Sequence, residues 1–589
     1  MQNPKRLYHI PVLFGILLLI LIGRLAHIQL IDPLSFSKNK VNLVEESVKQ
    51  RIHSVALDDG RGKMLDRHGE LLEDLHVPAI ILFPFLQNEE EILRKIAQVL
   101  NMPAQGLKDQ LTMSKTPLVL KQDISKTMVS AINEMEVPGV YGQLLNPDED
   151  MSFAFHFIGA VRENPKQVLE RYPDRLEKGL VSKTTKVGIN GIQQAFDPFL
   201  LSEGESKLIY HVQQSGKPLF GLDVKYTAPS NPFYPVSLLT TLDRNAQQIV
   251  EAAVDQFGIT KGGAVLLDIE TSDVLGLVSR PLPPKKNPQA DGTGNHMLLP
   301  QIPGSVFKLV TAAAAIDQNH VTADRTFDCS QNTYDDGDEK RNLGMLSFED
   351  SFFQSCNYTF ATLLNELMDT DRSILEHYAH SLGMVDRVGW EDDVFHLNAF
   401  KHFPQERRNV IWNDETDKSV SRAIAQTAIG QLNVRLSPLS VANMMATIAR
   451  GGAKKQVRAA HAVLYKNDTT LVEFKEKELK GDSLSPYTVR KLQDLLEGVV
   501  HNPKGTGYQS FHDLPWKVAG KSGTAEKGQT KTYNKWFAGY FPAEEAKYAL
   551  VVVDLDAKEF DTATNKAFAE IVRQLYNRQQ PAESRNSMN

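Results

Sequence analysis

The chain has 589 residues, 42% of them hydrophobic and 23% charged, an ordinary globular composition that leaves room for two or three domains and excludes a disordered protein. A formal net charge of −7 and the lack of any dense Lys/Arg block exclude a nucleic-acid partner. The two cysteines, Cys329 and Cys356, are too few for a disulfide framework or a four-cysteine site, and the sixteen histidines contain no His-Glu-x-x-His pattern, so neither a metal nor a cofactor is implied. Spacing alone favours two separate thiols over a bonded pair. Cys356 reads as a small buried hydrophobe, not as a second nucleophile.

In chain order, the first predicted element is apolar. Leu7 to Gly23 is broken only by Tyr8 and His9, and Leu25 to Ile31 continues the character after Arg24, which is the size of one membrane-spanning helix. Lys5 and Arg6 on its short side favour a cytoplasmic tip and an exported remainder. No small-x-small cleavage site follows, so residues 1–31 read as an uncleaved anchor. Residues 32–239 alternate short apolar runs with charged helical stretches such as Glu89 to Leu100 and carry no catalytic signature, which suits a non-catalytic pedestal. Thr240 to Gln247 opens a helix that Asp243 or Thr241 could cap, and the domain boundary is placed there. The third domain, 240–578, closes with an amphipathic helix in which Phe568, Ile571, Val572 and Leu575 fall at i, i+3, i+4 and i+7. Residues 579–589 form a polar tail.

Three short patterns lie in the third domain: Ser305-Val306-Phe307-Lys308, Ser355-Cys356-Asn357 and Lys521-Ser522-Gly523-Thr524. Singly they are cheap. Ser35 with Lys38 and Ser37 with Lys40 repeat the first, and Ser37, Ser330, Ser584 and Ser587 each begin the second. Context separates Ser305 from these copies, because Pro303-Gly304 signals a turn and Leu309 to Ile316 is a strong helix former. Ser305 is therefore expected in a helix's first turn, with Lys308 on the same face one turn on. A serine alcohol needs a neighbouring base, and an amine serves only when burial or a second cation holds its pKa down; Lys521 is the candidate cation. The unpaired N–H groups of a helix start favour negative charge developing beside Ser305. Trp516 to Gly520, Trp536 to Phe541 and Tyr548 to Leu555 read as three strands, and the third motif directly follows the first of them, at a strand edge. A phosphate loop is excluded, since it needs glycine five positions before Gly520 and Pro515 stands there.

These residues resemble the penicillin-binding proteins, whose Ser-x-x-Lys and Lys-Thr-Gly signatures they match. Gly262 to Asp268 with Val274 to Val278 is similar to the family's opening hairpin. Ile429-Gly430-Gln431, Ser437-Pro438-Leu439 and Trp536 to Tyr540 resemble further transpeptidase segments, and Arg61 to Gly69 resembles the start of the non-catalytic domain of class B members. Within the class the chain resembles the penicillin-binding protein 4B type of endospore-forming bacteria. It departs in carrying Ser522 where many members have threonine. The resemblance implies an α/β (α+β) transpeptidase domain of the serine β-lactamase-like kind, with an antiparallel sheet flanked by helices. It further implies that Ser305 is the nucleophile, Lys308 its base, Ser355 a proton relay and Asn357 a donor-orienting group. Lys521, Ser522, Gly523 and Thr524 would then form the carboxylate site, and the N–H groups of Ser305 and Thr524 the oxyanion hole. The implied substrates are peptidoglycan stem peptides ending in D-Ala-D-Ala; β-lactams would bind covalently, and a membrane glycan polymerase would be the partner. Glu349 to Phe352 is faintly similar to a glycosyltransferase signature but lies between two transpeptidase motifs. A D,D-carboxypeptidase or β-lactamase, and a catalytically dispensable scaffold, are the rival functions.

Overall fold

The computed structural model describes residues 5–33, 36, 43, 52–72, 77–114, 116–145, 153–178, 180–202, 204–211, 225–228, 231–284, 287, 290, 292–333, 342–527 and 532–580. The polar tail beyond 580 and the motif copies at Ser35, Ser37, Ser584 and Ser587 lie outside these residues. The N-terminal apolar segment is helical over Lys5–Ala26 and continues over His27–Ile31. From Pro11 to Ile31 it is long and apolar enough to cross a membrane.

The chain divides into two compact units, residues 1–60, 75–149 and 203–231, and residues 61–74, 150–202 and 232–589. The first unit contains two small sheets. Ile52–Asp58, Ser206–His211 and Lys225–Thr227 form one, and Leu118–Leu120, Val77–Leu82 and Val140–Leu145 the other. Helices Glu90–Val99, Ala104–Met113 and Lys126–Glu134 bury Leu93, Ile96, Leu107, Leu111 and Ile132 against Ile80 and Leu82.

The second unit draws on residues that precede the boundary expected at 240. Ser237–Thr240 pairs antiparallel with Ala460–Leu464 and parallel with Lys63–Leu65, an interleaving that one break in the sequence does not capture. Arg61 of the early segment is buried against the carboxylate of Asp197 at 2.7 Å. Five antiparallel strands form the main sheet: β1 Gly262–Asp268, β2 Val274–Arg280, β3 Ala519–Glu526, β4 Tyr533–Phe541 and β5 Tyr548–Ala557. Their spatial order is β2-β1-β5-β4-β3.

The period-2 alternation of strand side chains assigns the two faces. Ala264 and Leu266 of β1, Phe537 and Phe541 of β4 and Leu550 and Val552 of β5 pack under helix α1 (Arg244–Gln256) and helix α5 (Ala563–Gln579). Val265, Leu267, Ala538, Val551 and Val553 face the opposite core, which holds helix α2 (Lys308–Asp317), helix α3 (Asn357–Thr370) and helix α4 (Pro486–His501). Of the two candidate caps of α1, Asp243 takes the role, accepting from the Ala246 N–H at 2.9 Å. Arg578 reaches the same carboxylate at 2.7 Å and ties the end of α5 to the start of α1. In α5, Phe568, Ile571, Val572 and Leu575 are buried together, one apolar stripe of an amphipathic helix.

Candidate active site

Ser305 lies in a 3-10 turn, Gly304–Phe307, that runs directly into α2. The turn is pressed onto β3 because glycines stand at the contact. A Cβ on Gly304 would lie 2.4 Å from the Thr524 carbonyl oxygen, and one on Gly523 would lie 2.5 Å from the Pro303 carbonyl oxygen. Two hydrogen bonds hold this approach from the sides: Gly304 N–H donates to Gly430 O at 3.0 Å, and Trp536 Nε1 donates to Ile302 O at 2.9 Å. The third motif is therefore not beyond the end of a strand, as expected, but inside one. Lys521 to Thr524 pair residue by residue with Ala538 to Lys535 of β4, and this pairing, not the local side chains, extends the strand. Since β3 is an edge of the sheet, its outer backbone groups face the turn carrying Ser305.

Lys308, the first residue of α2, is completely buried. Its Nζ donates to Ser355 O at 2.8 Å, Ser355 Oγ at 3.1 Å, Cys356 O at 3.3 Å and Asn357 Oδ1 at 2.8 Å. First and second motifs thus meet at one nitrogen, whose burial these acceptors offset. Ser355 adopts a left-handed backbone (φ +58) between helix Phe348–Phe353 and α3, uncommon for a residue with a side chain. The reversal turns two successive carbonyls and the Ser355 hydroxyl toward Lys308.

Lys521 is likewise fully buried, and its Nζ donates to Ser522 O at 3.1 Å. It stands 5.8 Å from the centre of the Phe352 ring, while Lys308 Nζ stands 5.2 Å from that of Phe360. The two rings are themselves in edge contact, with centroids 5.9 Å apart. An aromatic pair thus lines the floor between the two ammoniums, each favoured by a ring face. Sequence reasoning missed this pair, since phenylalanine at helical spacing signals only core.

At the mouth, Thr524 is exposed and Ser522 half-buried. Gln431 Nε2 reaches Thr524 O at 3.4 Å, and Lys535 Nζ donates to Thr524 Oγ1 at 3.3 Å. Burial lowers the pKa of Lys535. Lys535 and Thr506, whose hydroxyl lies 3.0 Å from that of Ser522, were not singled out in the sequence. The register of β4 on β3 gives away the first only once the strands are known.

The cysteines overturn the expectation of separate thiols. Cys329 and Cys356 are joined by a disulfide, with Cα atoms 5.9 Å apart, and Cys356 is half of a covalent tie instead of a lone hydrophobe. The strand pair Thr326–Asp328 and Met345–Ser347 brings Cys329 back to the start of α3, a long-range approach that spacing could not reveal. The bond closes a loop of 27 residues. Chain-entropy arithmetic gives reduction a cost of about 3.5 kcal/mol, so thermal melts with and without reductant are expected to separate by several degrees. The double Cys→Ser protein should melt at the lower temperature in both conditions.

Among the described residues no group of three or more His, Cys, Asp or Glu side chains is placed to hold a metal ion.

Two family models match this chain: the penicillin binding protein transpeptidase domain over residues 262–577 and the penicillin-binding protein dimerisation domain over residues 58–231. Stage V sporulation protein D of Bacillus subtilis (strain 168) is 23% identical over 576 residues, covering 93% of this chain and 81% of that protein. Peptidoglycan D,D-transpeptidase MrdA of Acinetobacter baumannii is 23% identical over 617 residues, covering 94% of this chain and 85% of its own length. A solved chain from a peptidoglycan synthase complex, in which polymerization and crosslinking are coordinated, superposes with a TM-score of 0.64 at 19% identity, covering 98% of this chain and all of that one. At that identity the likeness is one of fold.

Proposed function

The chain belongs to the class B penicillin-binding proteins, and on that premise we propose that it is a membrane-anchored, serine-type peptidoglycan D,D-transpeptidase. The observation that carries the reading is the convergence of all three motifs: Lys308 bound to Ser355 and Asn357, and the turn of Ser305 seated on Gly523 and Thr524. Ser305 Oγ attacks the carbonyl of the penultimate D-Ala of a stem peptide and passes its proton to Lys308, which takes part as the neutral amine and becomes the ammonium. Ser355, 3.1 Å from Lys308 Nζ, gives its proton to the departing D-Ala amine and takes the one Lys308 holds, which restores the neutral lysine. The N–H groups of Ser305 and Thr524 stabilise the tetrahedral oxyanion. Lys521, Ser522 and Thr524 hold the terminal carboxylate by charge-assisted hydrogen bonds, and Asn357 orients the donor amide. An amine of a neighbouring strand then attacks the acyl-enzyme, which frees Ser305 and forms the cross-link. A β-lactam enters the same path, but its leaving amine stays tethered to the acyl group and the ester persists.

The apolar helix anchors the chain, with Lys5 and Arg6 on the cytoplasmic side and the residues after 31 outside. A membrane glycan polymerase is the partner that such an anchor and pedestal suit, and a solved relative in a synthase complex supports it. The deciding experiment follows a labelled D-Ala-D-Ala peptide with and without an amine acceptor, using full-length protein in detergent. Acceptor-dependent cross-linked product, lost in Ser305→Ala together with penicillin labelling, is expected. Release of free acid alone would place the chain among carboxypeptidases, and full biological function of Ser305→Ala would make it a scaffold.

A further inference from the structure

Serine and threonine at the second position of Lys521-Ser522-Gly523 supply the same hydroxyl but do not hold it equally. Threonine's γ-methyl restricts χ1, whereas a serine hydroxyl moves among three staggered positions. In this chain a second hydroxyl stands beside the looser one, Thr506 Oγ1 lying 3.0 Å from Ser522 Oγ. Its loop is tightly built: after α4, Gly505 N–H donates to Asn502 O at 2.8 Å and Gly507 N–H to Val499 O at 3.0 Å. Thr506 itself donates its N–H to Phe353 O at 3.1 Å, two residues before Ser355. Its backbone is thus fixed to the helix end just before the second motif while its side chain reaches the third.

We propose that Thr506 is a positioning residue for anion recognition. Its hydroxyl donates to Ser522 Oγ and so fixes the rotamer in which Ser522 O–H points at the carboxylate of the acyl donor, doing for serine what the γ-methyl does for threonine. Two hydroxyls in series toward an anion also polarise each other and strengthen the outer bond. The inference rests on the assignment of Ser522 to carboxylate binding.

The test measures second-order acylation rate constants of the full-length protein in detergent, with a penicillin carrying its free carboxylate and with the methyl ester of the same penicillin. Thr506→Val is expected to slow acylation by the acid about tenfold, and by the ester less than about twofold, since only the acid uses the charged hydrogen bond. In the Ser522→Thr background the same Thr506→Val change, measured against Ser522→Thr alone, should cost the acid less than about twofold, because the γ-methyl then holds the hydroxyl. Equal losses for acid and ester, equal losses in the two backgrounds, or no loss at all would each overturn the role of Thr506 while leaving the active site assigned. A wild-type protein that neither penicillin acylates overturns the site assignment and this role together.

Discussion

Lys308→Met is expected to leave a folded protein that acylates Ser305 about a thousandfold more slowly, the range ascribed to a positioned general base. Methionine has nearly the length of lysine and suits a fully buried position, so the loss isolates the amine from the space it fills. Folding pays a separate and smaller cost. The carbonyl of Ser355, 2.8 Å from the ammonium, loses that donor in a buried place, and an unsatisfied buried acceptor costs about 1–3 kcal/mol; Asn357 is exposed, so its Oδ1 can turn to water. Labelling by a fluorescent penicillin and thermal melting of the same samples separate the two effects. A variant that melts lower yet labels at the wild-type rate would remove Lys308 from the chemistry and leave it a structural tie between α2 and the Ser355 turn.

Much of this geometry could be read before any coordinates. Ser305 and Lys308 were legible because a single helical turn fixes their relation, and the stripe from Phe568 to Leu575 because burial repeats with the helical period. The hairpin of β1 and β2 was legible from its resemblance to the family's opening hairpin. What escaped depended on contacts between distant segments. Lys521-Ser522-Gly523 has no strand-forming side chains, and the register of β4 makes it a strand. The left-handed Ser355 and the disulfide at Cys356 both serve the packing of the Ser355 turn between two helices, and a serine or cysteine in a sequence signals neither. Ser237–Thr240, which straddles the expected boundary, is held by strands from residues 63–65 and 460–464, so a boundary drawn on a helix-capping signal had no means of finding them. The rings of Phe352 and Phe360 look like core and are core. Their part in the site comes only from the ammoniums placed on them.

Gly304→Ala should reduce acylation by about a hundredfold, the loss that follows when a reacting group is displaced by about 1 Å. Two effects act at this residue and can be separated. Its backbone is left-handed (φ +56), which costs a residue with a Cβ about 1–2 kcal/mol. The new methyl would also lie 2.4 Å from the Thr524 carbonyl, a backbone atom that cannot swing aside. The turn bearing Ser305 must then lift from β3, and the two N–H groups assigned to the oxyanion part from each other. Gly258 gives the control, since its backbone is also left-handed (φ +68) but a Cβ there meets nothing within 4 Å. Gly258→Ala is expected to lower the melting temperature with acylation unchanged, whereas Gly304→Ala lowers both. If the two variants label equally fast, close approach of the Ser305 turn to the strand is not what makes this serine reactive.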